Sequence, residues 1–221
     1  MLIAVNATVH ALIAIVQTVP VGTNLGLVRV LWVMVSGRFL PSRGALFGAL
    51  AMGGFGAQEI RRSWAAVGSG AWQINELLAN WRLHVLAEGR WMVRRHGGYE
   101  VVSVDMTGFW RPHLQGWAGR HFHTALQKLV PAVVFGVVVR PGQVGAQRVP
   151  LLQQVLRCEA TQSKAAFRLA LLQAVATPGV RKQVIVADAE FGVDEMQAAK
   201  VKYYVVRLAS NCALRRNELA P

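Results

Sequence analysis

The amino-acid sequence predicts an α/β protein in two parts, an N-terminal helical region at residues 1–97 and a mixed sheet flanked by helices at residues 98–221. Up to about residue 95, apolar residues recur at intervals of three and four, as on one face of an α-helix. Beyond residue 98, short β-branched runs alternate with a helical pattern, which is typical of α/β sheets. With 221 residues, 53% of them apolar, the chain is long enough to bury a core.

The helical region is predicted as several helices between residues 25 and 95, separated by glycine and proline. The separators are Gly37, Pro41, the Gly53-Gly54 pair and the Gly-Ser-Gly of residues 68–70. The clearest helix covers residues 71–95 and ends before Gly97-Gly98. One apolar face of it is expected in the core, namely Ile74, Leu77, Leu78, Trp81 and Val85.

Residues 1–22 are apolar and carry no charged side chain. Polar residues such as Asn6, His10 and Gln17 interrupt them, so no stretch is apolar enough to cross a bilayer, and the cationic start of a signal peptide is missing. We therefore expect an amphipathic or loosely packed segment here and no membrane as a partner.

The second region is predicted to alternate between strands and helices. In chain order these are a strand at 99–104, a strand at 132–139 ending in the turn of residues 140–142, a helix at 163–176, a strand at 184–187, a short helix at 194–200 and a strand at 203–208. The runs that end at Asp105 and Asp188 have the β-branched composition of strands buried on both faces. The long helix predicts at least one right-handed crossover.

The charge of the chain indicates nucleic acid as a partner. Lysine and arginine number 24 against 11 acids, which gives a net charge of +13, and 19 of the basic residues are arginines. The planar guanidinium binds phosphate oxygens in a bidentate manner. The alternative is an arginine-rich surface without a binding role. The candidate phosphate contacts are Arg61, Arg62, Arg94, Arg95, Arg111, Arg215 and Arg216.

Cysteine usage indicates a reducing compartment. The two cysteines, Cys158 and Cys212, lie far apart and form no Cys-x-x-Cys motif, which excludes a disulfide framework and a zinc knuckle. A cytoplasmic protein is therefore expected, and the predicted binding to nucleic acid associates it with the nucleoid.

Asp105 and Asp188 are the candidate catalytic and metal-binding residues. Each ends an apolar run, and the 82 residues between them hold one acid, Glu159, and ten lysines or arginines. Residues at the carboxyl ends of adjacent parallel strands converge on one edge of a sheet, where two carboxylates can share Mg²⁺ or Mn²⁺. The alternative is that Asp105 caps a turn and Asp188 caps the following helix.

Several sequence blocks in order resemble bacterial insertion-sequence DDE transposases, over roughly residues 25–221. In the sheet region the blocks are VVSVDMTGFWRP, LVPAVVFGVVVRPGQVGAQRVPLL and VIVADAEFGVDEMQAAKVKYYVVRLASN, and in the helical region SGRFLPSRGALFGAL and IRRSWAAVGSGAWQINELLANW. The resemblance implies an RNase H-like fold in which the first acid ends the first strand and the second ends the fourth. Asp105 and Asp188 match these positions.

The resemblance also implies an activity. Such enzymes cut DNA at the ends of the element by water attack and join the freed 3′-hydroxyl to target DNA, with Mg²⁺ held by two aspartates and one glutamate. Their helical part commonly contributes to recognising the element ends, and they often work as homodimers in a synaptic complex. The expected partners are therefore element-end and target DNA and a second copy of the chain.

The third acid departs from the family pattern. It normally lies on a later helix, often beyond a β-rich insertion, whereas Glu218 follows Asp188 by 30 residues and lies three residues from the last residue, Pro221. So short a segment does not form a helix that holds a carboxylate in place. We therefore expect a truncated or incomplete transposase. The alternatives are a non-catalytic DNA-binding protein that recognises element ends and an RNase H-like nuclease unrelated to mobility.

Aromatic and imidazole side chains follow Asp105 along the chain. Trp110 and Trp117 are the tryptophans nearest to the proposed chemistry. In the helical region, packing is expected for Trp64, Trp72, Trp81 and Trp91, with stacking on a flipped base as the alternative for one or two of them. His121 and His123 would face one side of a strand, as a metal pair requires, but no third ligand is evident. We expect them on a polar surface near DNA.

Overall fold

A computed structural model describes residues 2–111, 113, 115, 119–175 and 182–207. The chain divides into two compact units, Met1–Trp91 and Met92–Pro221. This division falls a few residues before the boundary predicted between residues 97 and 98. The chain is a mixed α/β protein, as predicted, with helices in the first unit and a multistranded sheet in the second.

The first unit is built from helices. They are α1 (Leu2–Ile15), α2 (Thr23–Val35), α3 (Leu46–Met52), α4 (Ala57–Gly68) and α5 (Ile74–Ala87). The breaks fall beside the predicted glycines, since Gly37, Gly54 and Gly70 have positive φ angles that favour glycine. The last helix ends at Ala87 and does not continue to residue 95. Gly89, with a φ of 68°, follows it in the left-handed conformation that commonly ends a helix.

Close approach of helices α2 and α4 holds the first unit together. A Cβ on Gly26 of α2 would lie 2.4 Å from the Cβ of Ala66 on α4, so only glycine permits this packing. The amide of the buried Asn80 on α5 donates hydrogen bonds to the carbonyl of Ile15 and the hydroxyl of Thr18. These contacts connect α5 to the end of α1, whose exposed side chains include Ile3 and Ile13.

The second unit contains the strands and two further helices. The strands are β1 (Trp91–Val93, which begins at the last residue of the first unit), β2 (Arg95–His96), β3 (Tyr99–Trp110), β4 (Arg120–His123), β5 (Lys128–Arg140), β6 (Gly142–Val144), β7 (Gln147–Arg148), β8 (Leu151–Arg157), β9 (Gln183–Ala187) and β10 (Tyr204–Val206). The helices are α6 (Lys164–Val175) and α7 (Val193–Ala198), with a short 3₁₀ helix at Thr124–Leu126.

The central sheet has the order β10–β9–β3–β5–β8. Strand β9 is parallel to both of its neighbours, whereas β5 is antiparallel to β3 and to β8. Helix α6 connects β8 to β9, and α7 connects β9 to β10. The start of β5 also pairs with β4, and β1, β6 and β7 form a separate small sheet. The sequence analysis missed β8 and the short strands β1, β2, β4, β6 and β7.

The main core lies on one face of the central sheet. Helix α6 contributes Phe167, Leu171 and Leu172, and α7 contributes Met196, all of them fully buried. Burial alternates along β3, where Val102 and Val104 are buried and Asp105 is exposed. The runs before Asp105 and Asp188 are therefore buried on the face that α6 and α7 cover and half-buried on the other, so they are less enclosed than the prediction of burial on both faces implied.

Leu171 is central to this core and has no exposed surface. We expect Leu171→Ala to lower the free energy of unfolding by about 2–5 kcal/mol, because it removes buried methyl groups and leaves a cavity. Urea denaturation followed by circular dichroism measures the change. The control is Leu126→Ala, whose side chain is exposed and should cost less than about 1 kcal/mol. Equal losses in the two variants would contradict this position of the core.

Candidate functional site

The pairing of β3 with β9 brings Asp105 and Asp188 to neighbouring positions. The last paired residues of these parallel strands are Val104 and Ala187, and each aspartate is the next residue along its chain. Neighbouring strands lie about 4.8 Å apart, so the two backbones are close at this edge of the sheet. Both side chains are exposed. The edge is therefore open to a ligand that binds two carboxylates.

The sequence analysis predicted that Asp105 ends its strand, and this prediction is wrong. Strand β3 continues to Trp110, and Asp105 itself pairs with Val137 of β5. The strand continues because residues 106–110 pair with β5 after β9 has ended. Asp188 directly follows the last residue of β9, as predicted. Asp105 thus lies at the end of the parallel pairing rather than at the end of a strand.

Each carboxylate accepts one local backbone hydrogen bond. Oδ1 of Asp105 accepts from the N–H of Met106 at 2.8 Å, and Oδ1 of Asp188 accepts from the N–H of Glu190 at 2.9 Å. The second bond has the form expected of an aspartate that caps a turn. In both carboxylates the described contacts leave Oδ2 available for a further ligand.

Two ion pairs connect the turn after Asp188 to helix α6. The guanidinium of Arg168 donates hydrogen bonds to both carboxylate oxygens of Glu195 at 2.7–2.9 Å. One turn earlier on α6, Lys164 lies 4.0 Å from Glu190. Glu195 also accepts from the N–H of Gly192 at 3.1 Å, which caps α7. These contacts fix the segment that begins with Asp188.

The charges of this cluster shift two pKa values. Burial raises the pKa of Glu195, but the hydrogen bonds from Arg168 and the Gly192 N–H outweigh it, so that the carboxyl pKa lies below its ordinary value. The hydrogen bond to Glu195 raises the pKa of Arg168, and the charges of Glu190 and Asp188 act in the same direction. Arg168 therefore contributes positive potential at Asp188.

Arg207 extends the row of the two aspartates across a third strand. Val206 of β10 pairs with Ala187, so Arg207 follows β10 as Asp188 follows β9. The N–H of Arg207 donates to the carbonyl of Ala187 at 3.1 Å, and its side chain is exposed. The sequence analysis missed Arg168 and Arg207. Arg207 could have been found by the pattern that identified the aspartates, because it too is a charged residue directly after an apolar run.

The predicted phosphate contacts occupy different environments. Arg61 and Arg62 are exposed on α4, and Arg111 is exposed after β3. Arg94 lies between β1 and β2, is half-buried, and donates its N–H to the carbonyl of Pro141. Arg95 is not at the end of a helix but on β2. The positions predicted at Arg215 and Arg216, like Trp117 and Glu218, lie outside the described residues.

Arg95 has a structural partner. It lies 2.7 Å from the carboxylate of Glu100, which also accepts a hydrogen bond from Arg140. The hydrogen bond from Arg95, followed by that from Arg140, lowers the pKa of Glu100 although burial opposes the shift. This three-residue network connects β2, β3 and β5, and it makes Arg95 a weaker candidate for a phosphate contact than Arg61 or Arg62.

In the described part of the chain, no group of three or more histidine, cysteine or acidic side chains is arranged to hold a metal ion. Glu195 is occupied by Arg168, and Glu190 lies beside Lys164. His121 and His123 both lie on β4, and both rings contact Trp110. The candidate site thus consists of Asp105 and Asp188 with Arg168 and Arg207 around them.

Comparisons with protein-family models, with curated proteins and with solved structures found no match to this chain. Among the described residues, no helix has both the length and the apolar character needed to cross a bilayer. The function is therefore argued from the residues and their geometry.

The Arg168–Glu195 pair is expected to make stability depend on pH. Its stabilising effect is complete above the unfolded-state carboxyl pKa, near 4.5, and is lost as the pH falls through the lower folded-state pKa. Glu195→Gln should therefore lower the free energy of unfolding by about 1–3 kcal/mol at pH 7, and this difference should shrink below pH 4.5. Urea denaturation at several pH values measures it.

The matched control is Glu88→Gln, which removes the exposed ion pair of Glu88 with Arg90. Exposed ion pairs contribute little to stability, so the free energy of unfolding of this variant should stay close to that of the wild type at every pH measured. A constant deficit of Glu195→Gln from pH 7 to pH 3 would show that the carboxylate charge is not what stabilises α7.

Proposed function

We propose that this chain carries the catalytic region of an insertion-sequence DDE transposase, whose divalent-metal-dependent DNA cleavage and strand transfer would need a third acid besides Asp105 and Asp188. The observation that carries the proposal is the register that places Asp105 beside Asp188. Among the five strands β10–β9–β3–β5–β8, leaving aside the two-residue β2 and the short β4 that pair with β3 and β5, β3 is the first along the chain and β9 the fourth. The resemblance implies an RNase H-like fold with acids on these two strands, and the observed order supports that assignment.

The residues at the site fit Mg²⁺ or Mn²⁺. Both ions prefer oxygen ligands and keep several water molecules, so one or two carboxylates suffice to bind them. Asp105 and Asp188 are exposed, and each has a carboxylate oxygen beyond the one that accepts a backbone hydrogen bond. A divalent ion would also offset the repulsion between the two negative charges.

The bound ion would supply Lewis-acid activation of a water or 3′-hydroxyl and would stabilise the leaving oxygen of the phosphodiester. The chain's own residues would hold the ion and orient the DNA. Asp105 is held rigidly in the middle of a long strand, and the ion pairs of α6 fix the turn after Asp188. Arg207, in the same row, would donate hydrogen bonds to a phosphate next to the one that reacts.

Other parts of the proposal rest on charge. With a net charge of +13 the chain attracts the DNA backbone, and Arg61 and Arg62 offer two adjacent exposed cations on the helical unit. We assign the helical unit to contacts with element-end DNA and the sheet unit to the chemistry. A homodimer in a synaptic complex and a cytoplasmic, nucleoid-associated location belong to the same proposal.

The decisive test is metal-dependent nicking of supercoiled DNA. With Mn²⁺ present, any nicking of the plasmid by the wild type should be lost in Asp105→Asn and Asp188→Asn, because each substitution removes a ligand charge. Isothermal titration with Mn²⁺ should show at least tenfold weaker binding in both variants. Gel electrophoresis of the plasmid and the titration together measure the effect.

Asp194→Asn is the matched control for this test. Asp194 is exposed in the first turn of α7, so the substitution removes the same charge without touching the row of Asp105 and Asp188. It should retain both Mn²⁺ binding and nicking. Equal nicking by the wild type and Asp188→Asn would refute the proposal.

The second candidate function is a non-catalytic DNA-binding protein that recognises element ends. The hydrogen bond from the Glu190 N–H to Asp188 favours it, since this contact is what a turn-capping aspartate makes. Retained DNA binding by the wild type without Mn²⁺ binding or nicking would support this function over the first. Binding that is specific for element ends would argue against a general nuclease.

Arg61 and Arg62 are expected to contact DNA phosphates under either function. The double variant Arg61→Gln/Arg62→Gln should weaken binding to a 30-base-pair duplex and should reduce the slope of log affinity against log salt by roughly two, one unit for each lost phosphate contact. Fluorescence anisotropy at several salt concentrations measures both. Arg90→Gln is the control, because Arg90 is exposed but paired with Glu88. An unchanged slope in the double variant would show that Arg61 and Arg62 do not contact DNA phosphates.

A further inference from the structure

Three rings cluster at the end of β3 and on β4. The ring of Trp110 lies 4.6 Å from that of His123 and 6.1 Å from that of His121, centroid to centroid. His121 also lies against Gly108, where a Cβ would be 2.7 Å from the Cβ of the histidine. The absence of a side chain at residue 108 therefore lets β4 approach β3 and bring both imidazoles to the tryptophan.

The cluster remains accessible although its rings contact one another. Trp110 is 36% exposed. Lys128 pairs with His123 and lies on the same face of the hairpin of β4 and β5, whereas Phe122 and its pairing partner Leu129 are exposed on the opposite face. The accessible part of the cluster is therefore the exposed part of Trp110.

The surroundings of the cluster are positively charged. Residues 106–158 contain no aspartate or glutamate, a run of 53 residues. Three cations flank the rings in the chain, namely Arg111, Arg120 and Lys128, and none of them forms an ion pair with a described residue. Aromatic rings beside unpaired cations form the arrangement by which proteins bind unpaired nucleotides, through base stacking and phosphate contacts.

We infer that Trp110, with His121 and His123, is a stacking site for an unpaired DNA base. Trp110 lies five residues beyond Asp105 on the same strand, which is roughly 17 Å along the backbone, and the odd spacing places the two side chains on opposite faces of the sheet. The inference rests on the proposed function, because it takes DNA as the ligand.

Two DNA probes separate stacking from general DNA binding. One is a blunt 20-base-pair duplex, and the other is the same duplex with a five-nucleotide single-stranded 3′ extension that carries 2-aminopurine. The wild type should bind the extended duplex more tightly and should change the 2-aminopurine emission. Trp110→Leu should weaken binding to the extended duplex by about tenfold and remove the emission change, with less than about twofold effect on the blunt duplex.

Three further variants guard against a purely structural effect. Trp110→Phe keeps an aromatic face and should restore most of the emission change. His123→Asn removes one ring but keeps an acceptor for the Leu126 N–H, which His123 now caps, and it should give a smaller loss of about threefold. Trp64→Leu, at an exposed tryptophan that contacts Phe47 on the helical unit, should leave both affinities unchanged.

The outcomes distinguish the stacking site from the proposed function. Wild-type affinity of Trp110→Leu for the extended duplex, or equal wild-type affinity for both probes, would overturn the stacking site alone. Failure of the wild type to bind either probe would overturn the stacking site and the proposed function together. Loss of stacking in Trp110→Leu without Mn²⁺-dependent nicking by the wild type would support the stacking site and refute the catalytic proposal.

Discussion

The parallel pairing of β3 with β9 is the interaction on which the candidate site depends. Its last pair, Val104 with Ala187, is buried against α6 and α7, so the core fixes the register. A slip by one residue would turn every side chain of β9 to the other face and expose Ala187 and Ile185. The same hydrophobic pattern that stabilises the sheet therefore places Asp188 beside Asp105. The packing of the core therefore also determines the geometry of the candidate site.

Charge on α6 completes that arrangement. Carboxylates on adjacent strands repel each other, and without compensation this repulsion opposes the pairing that brings them together. Arg168 and Lys164 approach from the helix on one side, and Arg207 follows the neighbouring strand on the other. The Arg168–Glu195 pair is bidentate and partly buried, so it holds α7 and the preceding turn more firmly than an exposed pair would. The edge of the sheet that carries Asp105 and Asp188 is thus stabilised by these contacts and is still exposed to a ligand.

Much of this arrangement could be predicted from residue patterns, and the remainder depends on contacts between distant segments. β-branched runs indicated β5, β9 and β10, and glycines marked most helix ends in the first unit. Strand β8 was missed because its two glutamines interrupt the apolar run, and the extension of β3 past Asp105 was missed because only pairing with β5 sustains it. The helix predicted over residues 71–95 ends at Ala87, because the left-handed conformation of Gly89 prevents it from continuing along the apolar pattern that follows. Arg168 acquires its role through Glu195, 27 residues away, which no local pattern reveals.

The distribution of acids is compatible with the proposal that one surface accepts both a cation and DNA. A site with many carboxylates would bind divalent ions tightly but repel the phosphate backbone, whereas a wholly cationic surface would bind DNA but no metal. Here the two aspartates lie in one row at one edge, while the 53 residues after Asp105 hold no acid at all. On β3 the carboxylate of Asp105 lies at the edge of the sheet where a divalent ion would neutralise it. Beyond Asp105 this strand and β4 carry tryptophan and histidine, with Arg111 and Arg120 beside them in the chain and no carboxylate.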